Sequence, residues 1–354
     1  MSKVLMKGNE AVAEAAIIGG CKYFFGYPIT PQNEIPEYMA KRLPEVGGTF
    51  IQAESEVSAI NMVYGAAGSG ARVMTSSSSP GISLKQEGIS YIAGAELPCV
   101  IVNMVRGGPG LGNIAPAQSD YFQATKGGGH GDYRLIVLGP DSVQELVDLT
   151  IEAFDLADRY RNPVMILGDG ILGQMMEPVE FRDTEIRIGP EKPWAATGAR
   201  GRERNLINSL HIIPEDNDRF CQHLREKYEL ILTREIRYES YFADDADIIL
   251  AAYGSTARIC KAVVDQARQD GIRVGLIRPI TLWPFPAEPF RQAAEYTGSF
   301  LAVEMSNGQM VEDVRLAVNG QKPVGFYGRT GGVVPAKGQI YAEVKKILQG
   351  GARS

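Results

Sequence analysis

Short apolar runs alternate with helical patterns along roughly the first 170 residues of this chain, and the connections between them are rich in Gly and Pro. Few folds accept that alternation. Strands reading as near-continuous apolar runs are buried on both faces, and a crossover helix between successive strands specifies a parallel sheet covered by helices. The spacing predicts strands at Cys21–Tyr27, Thr49–Gln52, Arg72–Thr75, Cys99–Val105, Leu135–Leu138 and Val164–Leu167. It predicts helices at Glu10–Ile18, Pro31–Arg42, Glu56–Gly68, Ser83–Ala93 and Ser142–Arg159. A polar, charged stretch follows, with a helical piece near Arg219–Lys227, and the alternation resumes after Asp244. There, strands are expected at Asp247–Tyr253, Arg273–Leu276, Ser299–Val303 and Val324–Tyr327, with helices near Ala257–Gln269 and Ala287–Tyr296. The expected fold class is α/β, with two doubly wound parallel-sheet domains at residues 1–175 and 244–354 joined by a connecting segment at 176–243.

The bulk properties narrow the function. The 36 basic and 42 acidic residues leave a net charge of −6, so there is no basic footprint for nucleic acid or an anionic membrane. No apolar run is long enough to span a bilayer, and Met1–Lys7 lacks the pattern of a signal peptide, so a cytoplasmic location is expected. Cys21, Cys99, Cys221 and Cys260 are too scattered for a metal-ligand motif and too few for a disulfide framework. An iron–sulfur cluster needs closely spaced Cys ligands, so any such cluster is expected on another chain.

Three strand ends can carry chemistry. The first, Tyr27-Pro28-Ile29-Thr30-Pro31, fixes the backbone on both sides of a hydroxyl where the first strand meets a helix. The plainer reading has Thr30 capping that helix with Pro31 at its first position. The second, Gln52-Ala53-Glu54-Ser55-Glu56, places two carboxylates at a helix start, where they suit the helix dipole or where one of them projects into the cleft toward a protonated ring nitrogen. Position alone does not choose between Glu54 and Glu56. The third, Arg106-Gly107-Gly108-Pro109, presents a guanidinium able to pair with a carboxylate or to brace a glycine-rich loop. Two further patterns are decoys. Gly110–Ala115 fits a dinucleotide fingerprint but no amphipathic helix follows it, and Gly168-Asp169-Gly170 has no downstream Asn before Asn205 to complete a magnesium site, so Asp169 reads as a turn residue.

Taken together these segments, with Gly127–Asp132, Arg278–Pro284 and Glu304–Gln309, resemble the alpha-type subunit of the 2-oxoacid:ferredoxin oxidoreductase family. The resemblance implies a thiamine-diphosphate-binding fold of the pyrimidine type followed by a transketolase-C-terminal-like domain. It implies that Glu56 holds the aminopyrimidine ring, that Tyr27, Pro28 and Ile29 line the cofactor, and that Thr30 and Arg106 hold the 2-oxoacid. A carboxylate on the ring nitrogen favours the imino tautomer, which can take the C2 proton of the thiazolium. It further implies that thiamine diphosphate is shared with a beta-type subunit carrying the diphosphate, Mg2+ and the iron–sulfur cluster. Gamma-type and ferredoxin-like subunits, CoA as co-substrate and ferredoxin as acceptor belong to the same expectation. The chain alone is then inactive and associates with itself as a homodimer.

Leu111–Asp120 offers no Arg or Lys for a second substrate carboxylate, which favours a branched-chain 2-oxoacid such as 2-oxoisovalerate over 2-oxoglutarate, unless Lys85, Lys126 or the partner supplies a cation. Outside that reading stand the beta-type chain of an NAD-linked 2-oxoacid dehydrogenase and a non-catalytic nucleotide-binding module using Gly107–Gly112.

Overall fold

The computed structural model describes residues 3–182 and 185–350. Two sheets organise the chain. The larger has seven strands in the order Thr281–Trp283, Ile136–Leu138, Pro163–Asp169, Cys99–Val105, Val73–Ser77, Tyr23–Gly26 and Thr49–Gln52. All its pairings are parallel except that of Thr281–Trp283 with Ile136–Leu138. The smaller has five strands in the order Val324–Gly328, Ser299–Glu304, Ile248–Ala251, Val274–Pro279 and Tyr238–Tyr241, and only the last of these is antiparallel.

The α/β class expected from the sequence is therefore present, in two mainly parallel sheets. Each sheet ends on one antiparallel strand, Thr281–Trp283 on the larger and Tyr238–Tyr241 on the smaller. Val4–Lys7 and Met176–Val179 add a small antiparallel pair beside the larger sheet. The polar stretch contains a long helix, Pro214–Arg234, that buries only Leu224, Tyr228 and Ile231. Among the described residues no helix is long and apolar enough to cross a membrane.

Strand Tyr23–Gly26 lies between Thr49–Gln52 and Val73–Ser77, so the chain steps outward from it once and then back across it. Such a reversal opens a crevice at the carboxyl ends of the strands that diverge there, where open α/β sheets bind ligands. The two sheets are tied together by polar contacts rather than by a shared strand ladder alone. Gln118 donates to the Tyr253 carbonyl at 2.8 Å and accepts from Thr256 and from the Met305 amide, each at 3.0 Å. Tyr121 donates to Asp313 at 2.6 Å, and the Gln309 side chain bridges the Ser119 carbonyl and the Phe122 amide. Buried Arg278 reaches from the smaller sheet to Glu145 through two bonds of 2.7 and 2.8 Å, and to Glu239 at 2.8 Å.

Candidate functional site

Three chain segments converge on the crevice: Tyr27–Thr30 after the first of its strands, Ala53–Glu56 after its neighbour, and Ser77–Gly81 after the strand on the other side. Helix Glu56–Gly68 starts there because Ser55 caps it, accepting from the Ser58 amide at 3.2 Å. The cap places the two carboxylates differently. Glu54 is exposed and accepts from the Ser58 hydroxyl at 2.9 Å, whereas Glu56 is only 6% exposed and has no hydrogen-bond partner among the described residues. A buried carboxylate without a donor is costly. The first turn of its own helix offsets part of that cost.

Glycine at position 81 makes the pocket around this carboxylate. A Cβ there would collide with the Ser77 hydroxyl and come to 2.6 Å from Glu56 Oε1. The hydroxyls of Ser77 and Ser78 are buried and unpartnered as well. The turn that carries them is strained and latched: Ser79 has φ of 26°, its amide donates to Asn103, and its hydroxyl lies 3.1 and 3.2 Å from the Arg106 amide and carbonyl. Asn103 also donates to Asp120 at 2.9 Å, and burial raises the Asp120 carboxyl above its usual value against that bond. Sequence reasoning missed Ser77–Ser79 and Asp120. The run Ser76–Ser79 ahead of Pro80-Gly81 was the available signal, since hydroxyls at a strand end before a helix suit a ligand.

The guanidinium of Arg106 is buried and turned onto the backbone. It donates to the Thr30 carbonyl at 3.0 Å and to the Leu111 carbonyl at 3.4 Å, leaving Nε without a partner. The structure thus brings Arg106 and Thr30 together and gives Arg106 a loop-bracing contact. Thr30 is not a helix cap: the helix begins at Glu34, and the Thr30 hydroxyl accepts from Asn33 at 3.4 Å. Tyr27 and Pro28 are exposed at the mouth, and Ile29 is half-buried. Beyond them a cleft of about 910 Å³ opens between the sheets, bounded by Ser79, Gly107, Asp120, Met305, Asn307 and Gln309.

The decoys resolve physically. Residues 107–120 form no helix; the loop closes on itself through the Asn113 amide on Gly107 and the Gly107 amide on Ala115, each at 2.9 Å. Asp169 is more than a turn residue. One oxygen caps the short helix Gly170–Gln174 and the other accepts from the Ser255 amide and hydroxyl, so it fastens the two sheets to one another. Gly127–Asp132 packs on helix Pro80–Gly94, where Ser90 donates to the His130 carbonyl at 2.6 Å.

Lys85 is fully buried beneath the crevice and donates to Thr75 Oγ1 at 2.6 Å and to the Ser76 carbonyl at 3.0 Å. Burial pushes it down to about 7 from 10.5, with Glu56 pulling the other way. Between those two values the unfolded chain binds a proton that the folded chain does not. Stability should therefore climb with pH across that window, and Lys85→Met should flatten the climb and raise the melting temperature most at about pH 7 and below. Thermal melts of parent and variant across that range check this. A parallel pH dependence in the two proteins contradicts it.

Comparisons with known proteins identify the family of the chain. A family model described as pyruvate flavodoxin/ferredoxin oxidoreductase, thiamine-diphosphate-binding, matches residues 14–229, and one for pyruvate:ferredoxin oxidoreductase core domain II matches residues 246–340. The chain is 52% identical to a ketoisovalerate oxidoreductase subunit VorB of Methanothermobacter marburgensis, over 98% of both chains. It is 39% identical to a 2-oxoglutarate synthase subunit KorA of Methanothermobacter thermautotrophicus, covering 97% of this chain and 98% of that one. Among solved structures, a 2-oxoglutarate:ferredoxin oxidoreductase from Magnetococcus marinus superposes with a TM-score of 0.89 at 27% identity, covering 98% of this chain, which spans 66% of that longer one. A split-gene transketolase at 16% identity and a TM-score of 0.63 shares the fold. The chain belongs to the 2-oxoacid:ferredoxin oxidoreductase family, as a subunit built on its thiamine-diphosphate-binding domain.

Proposed function

We propose that this chain supplies the pyrimidine-binding half of a thiamine-diphosphate site for the oxidative decarboxylation of a branched-chain 2-oxoacid, with 2-oxoisovalerate as the substrate. The residues present fit the aminopyrimidine. Glu56 is a buried acceptor lacking a donor, the Ser77 hydroxyl beside it is unpartnered, and the bare Gly81 leaves room at both. When bound, thiamine diphosphate supplies a nucleophilic carbon and an electron sink. What this chain's residues do is narrower. Glu56 would hold a proton at the ring nitrogen, Tyr27, Pro28 and Ile29 would exclude water from the ring, and Arg106 with Thr30 would orient the substrate carboxylate. The diphosphate, its Mg2+ and the iron–sulfur cluster are assigned to a beta-type partner, with gamma-type and ferredoxin-like subunits, CoA and ferredoxin completing the reaction. Alone, the chain is assigned no activity.

One observation carries the substrate. None of the residues lining the cleft is Lys or Arg, and the two lysines that the sequence offered as a source of charge are committed elsewhere, Lys85 to Thr75 and Ser76, and Lys126 to Asp313. A second substrate carboxylate would enter that cleft unpaired, at a cost of several kcal/mol of the kind that buried lone charges incur. The assembled complex is expected to reduce viologen or ferredoxin with a kcat/KM at least about tenfold higher for 2-oxoisovalerate than for 2-oxoglutarate, the factor that ~1.4 kcal/mol of discrimination gives. A preference for 2-oxoglutarate overturns the assignment, and lipoamide-dependent NAD reduction in place of viologen reduction would overturn the reaction class.

A further inference from the structure

Lys85 is a buried cation that the reading above leaves without a task. Its two hydrogen-bond partners, Thr75 Oγ1 and the Ser76 carbonyl, are neutral, and no carboxylate among the described residues forms an ion pair with it. The titratable groups that face it are Glu56, from helix Glu56–Gly68, and the Cys99 thiol, from strand Cys99–Val105. Burial raises that thiol to about 12, so it is neutral at working pH, which leaves the Glu56 carboxyl as the acidic group that Lys85 faces. Strand Val73–Ser77 brings only hydroxyls and carbonyls toward it. On helix Pro80–Gly94, Gly81 and Lys85 stand one turn apart on one face. That face lies against helix Glu56–Gly68 throughout: Gly81 meets Glu56 Oε1, and Gly88 meets Ile60. The stripe that touches the Glu56 carboxylate therefore continues directly into Lys85.

We propose that Lys85 is a positioning residue acting through Glu56: its ammonium balances the carboxylate while the pyrimidine pocket is empty, and it releases its proton when a cofactor ring shares one with Glu56. The inference rests on the reading of Glu56 as the ring-binding carboxylate. A protonated ring nitrogen places a second cation beside a single carboxylate in a buried site, and coupled groups then titrate as a set. Burial already holds Lys85 near neutrality, so it is the member that yields. The balance is one proton taken up at the Glu56–ring pair and one lost from Lys85, with little net exchange with solvent from this set. Without Lys85 the pocket must draw that proton from solvent.

The test uses the complex assembled with its partner subunit and stripped of cofactor, carrying parent, Lys85→Met or Lys85→Gln chains. Thiamine diphosphate with Mg2+ is titrated calorimetrically in buffers of differing ionisation heat, which counts the protons exchanged per cofactor bound. At about pH 6.5 both variants are expected to take up most of one proton more than the parent, and at about pH 9, where Lys85 is neutral in either state, the difference should vanish. Gln keeps a donor for Thr75 and Ser76, so it separates the charge from the packing if Met perturbs the fold. Equal proton counts at both pH values overturn the proposal, and so does an excess that persists at the higher pH. A complex that binds no thiamine diphosphate overturns the reading of Glu56 itself, whereas binding with unchanged proton counts removes Lys85 alone.

Discussion

Glu56→Gln in the assembled enzyme is expected to lower turnover by roughly two to three decades, or about 3–4 kcal/mol, the usual cost of losing one pre-organised charge contact. The amide is nearly isosteric, so the pocket between Gly81 and Ser77 keeps its shape. What is lost is the negative charge that makes a proton on the ring nitrogen favourable. The fold should persist, with an unchanged circular-dichroism spectrum, since the Glu56 side chain makes no hydrogen bond of its own. Glu54→Gln is the control: that side chain is exposed, bonded only to Ser58, and its loss should be mild. Steady-state assays of the two variants decide the matter, and near-parental turnover in the Glu56 variant would remove that residue from the mechanism.

The second large effect is on stability. Arg278 is 2% exposed, and its guanidinium faces Glu145, Glu239 and, at 3.5 Å, Asp141. Arg278→Met fits the volume but leaves Glu145 without its cation in a partly buried cluster, while Lys261 still pairs with Asp141 and Glu239; removing one partner of such a set destabilises by at most about 3–5 kcal/mol. Lys should recover only part of it, because an ammonium cannot reproduce the two parallel bonds to Glu145. Burial pulls the Asp141 carboxyl up, and Arg278 and Lys261 more than reverse it, so its net position is below the usual 3.8. That contribution is present above the ordinary carboxylate range and fades as pH falls through the depressed value. The Met variant should therefore unfold in acid at a higher pH than the parent. Urea titrations at neutral and acid pH measure both effects, and a midpoint shift absent at neutral pH would contradict this account.

How far the sequence could be read depended on how many faces of each element are buried. Thr49–Gln52, Cys99–Val105 and helix Glu56–Gly68 emerge with the boundaries that their spacing predicts. Helix Pro214–Arg234 showed only its middle, since three buried residues in a charged background give little periodicity. Helices Met310–Val318 and Lys337–Gly350 and the pair Val4–Lys7 with Met176–Val179 were not picked out at all. The antiparallel strands were invisible for another reason. Thr281–Trp283 is three residues long, and nothing local to it says that its partner lies in the other sheet. At the site, Glu54 and Glu56 are equivalent by position, and it is the Ser55 cap together with the packing of Gly81 that separates them. Lys85 sits on a helix where a lysine ordinarily means solvent; its burial is a property of two helices and a strand together.

The pairing of Thr281–Trp283 with Ile136–Leu138 has a consequence for how the chain is made. The outer edge of the larger sheet is laid down early in synthesis, yet its covering strand emerges only after the whole intervening segment and three strands of the smaller sheet. Until then a nascent chain carries an unpaired, apolar strand edge, the kind of template that recruits neighbouring chains. A ribosome paused upstream of residue 281 thus holds an intermediate whose larger sheet still has an open edge in need of shielding.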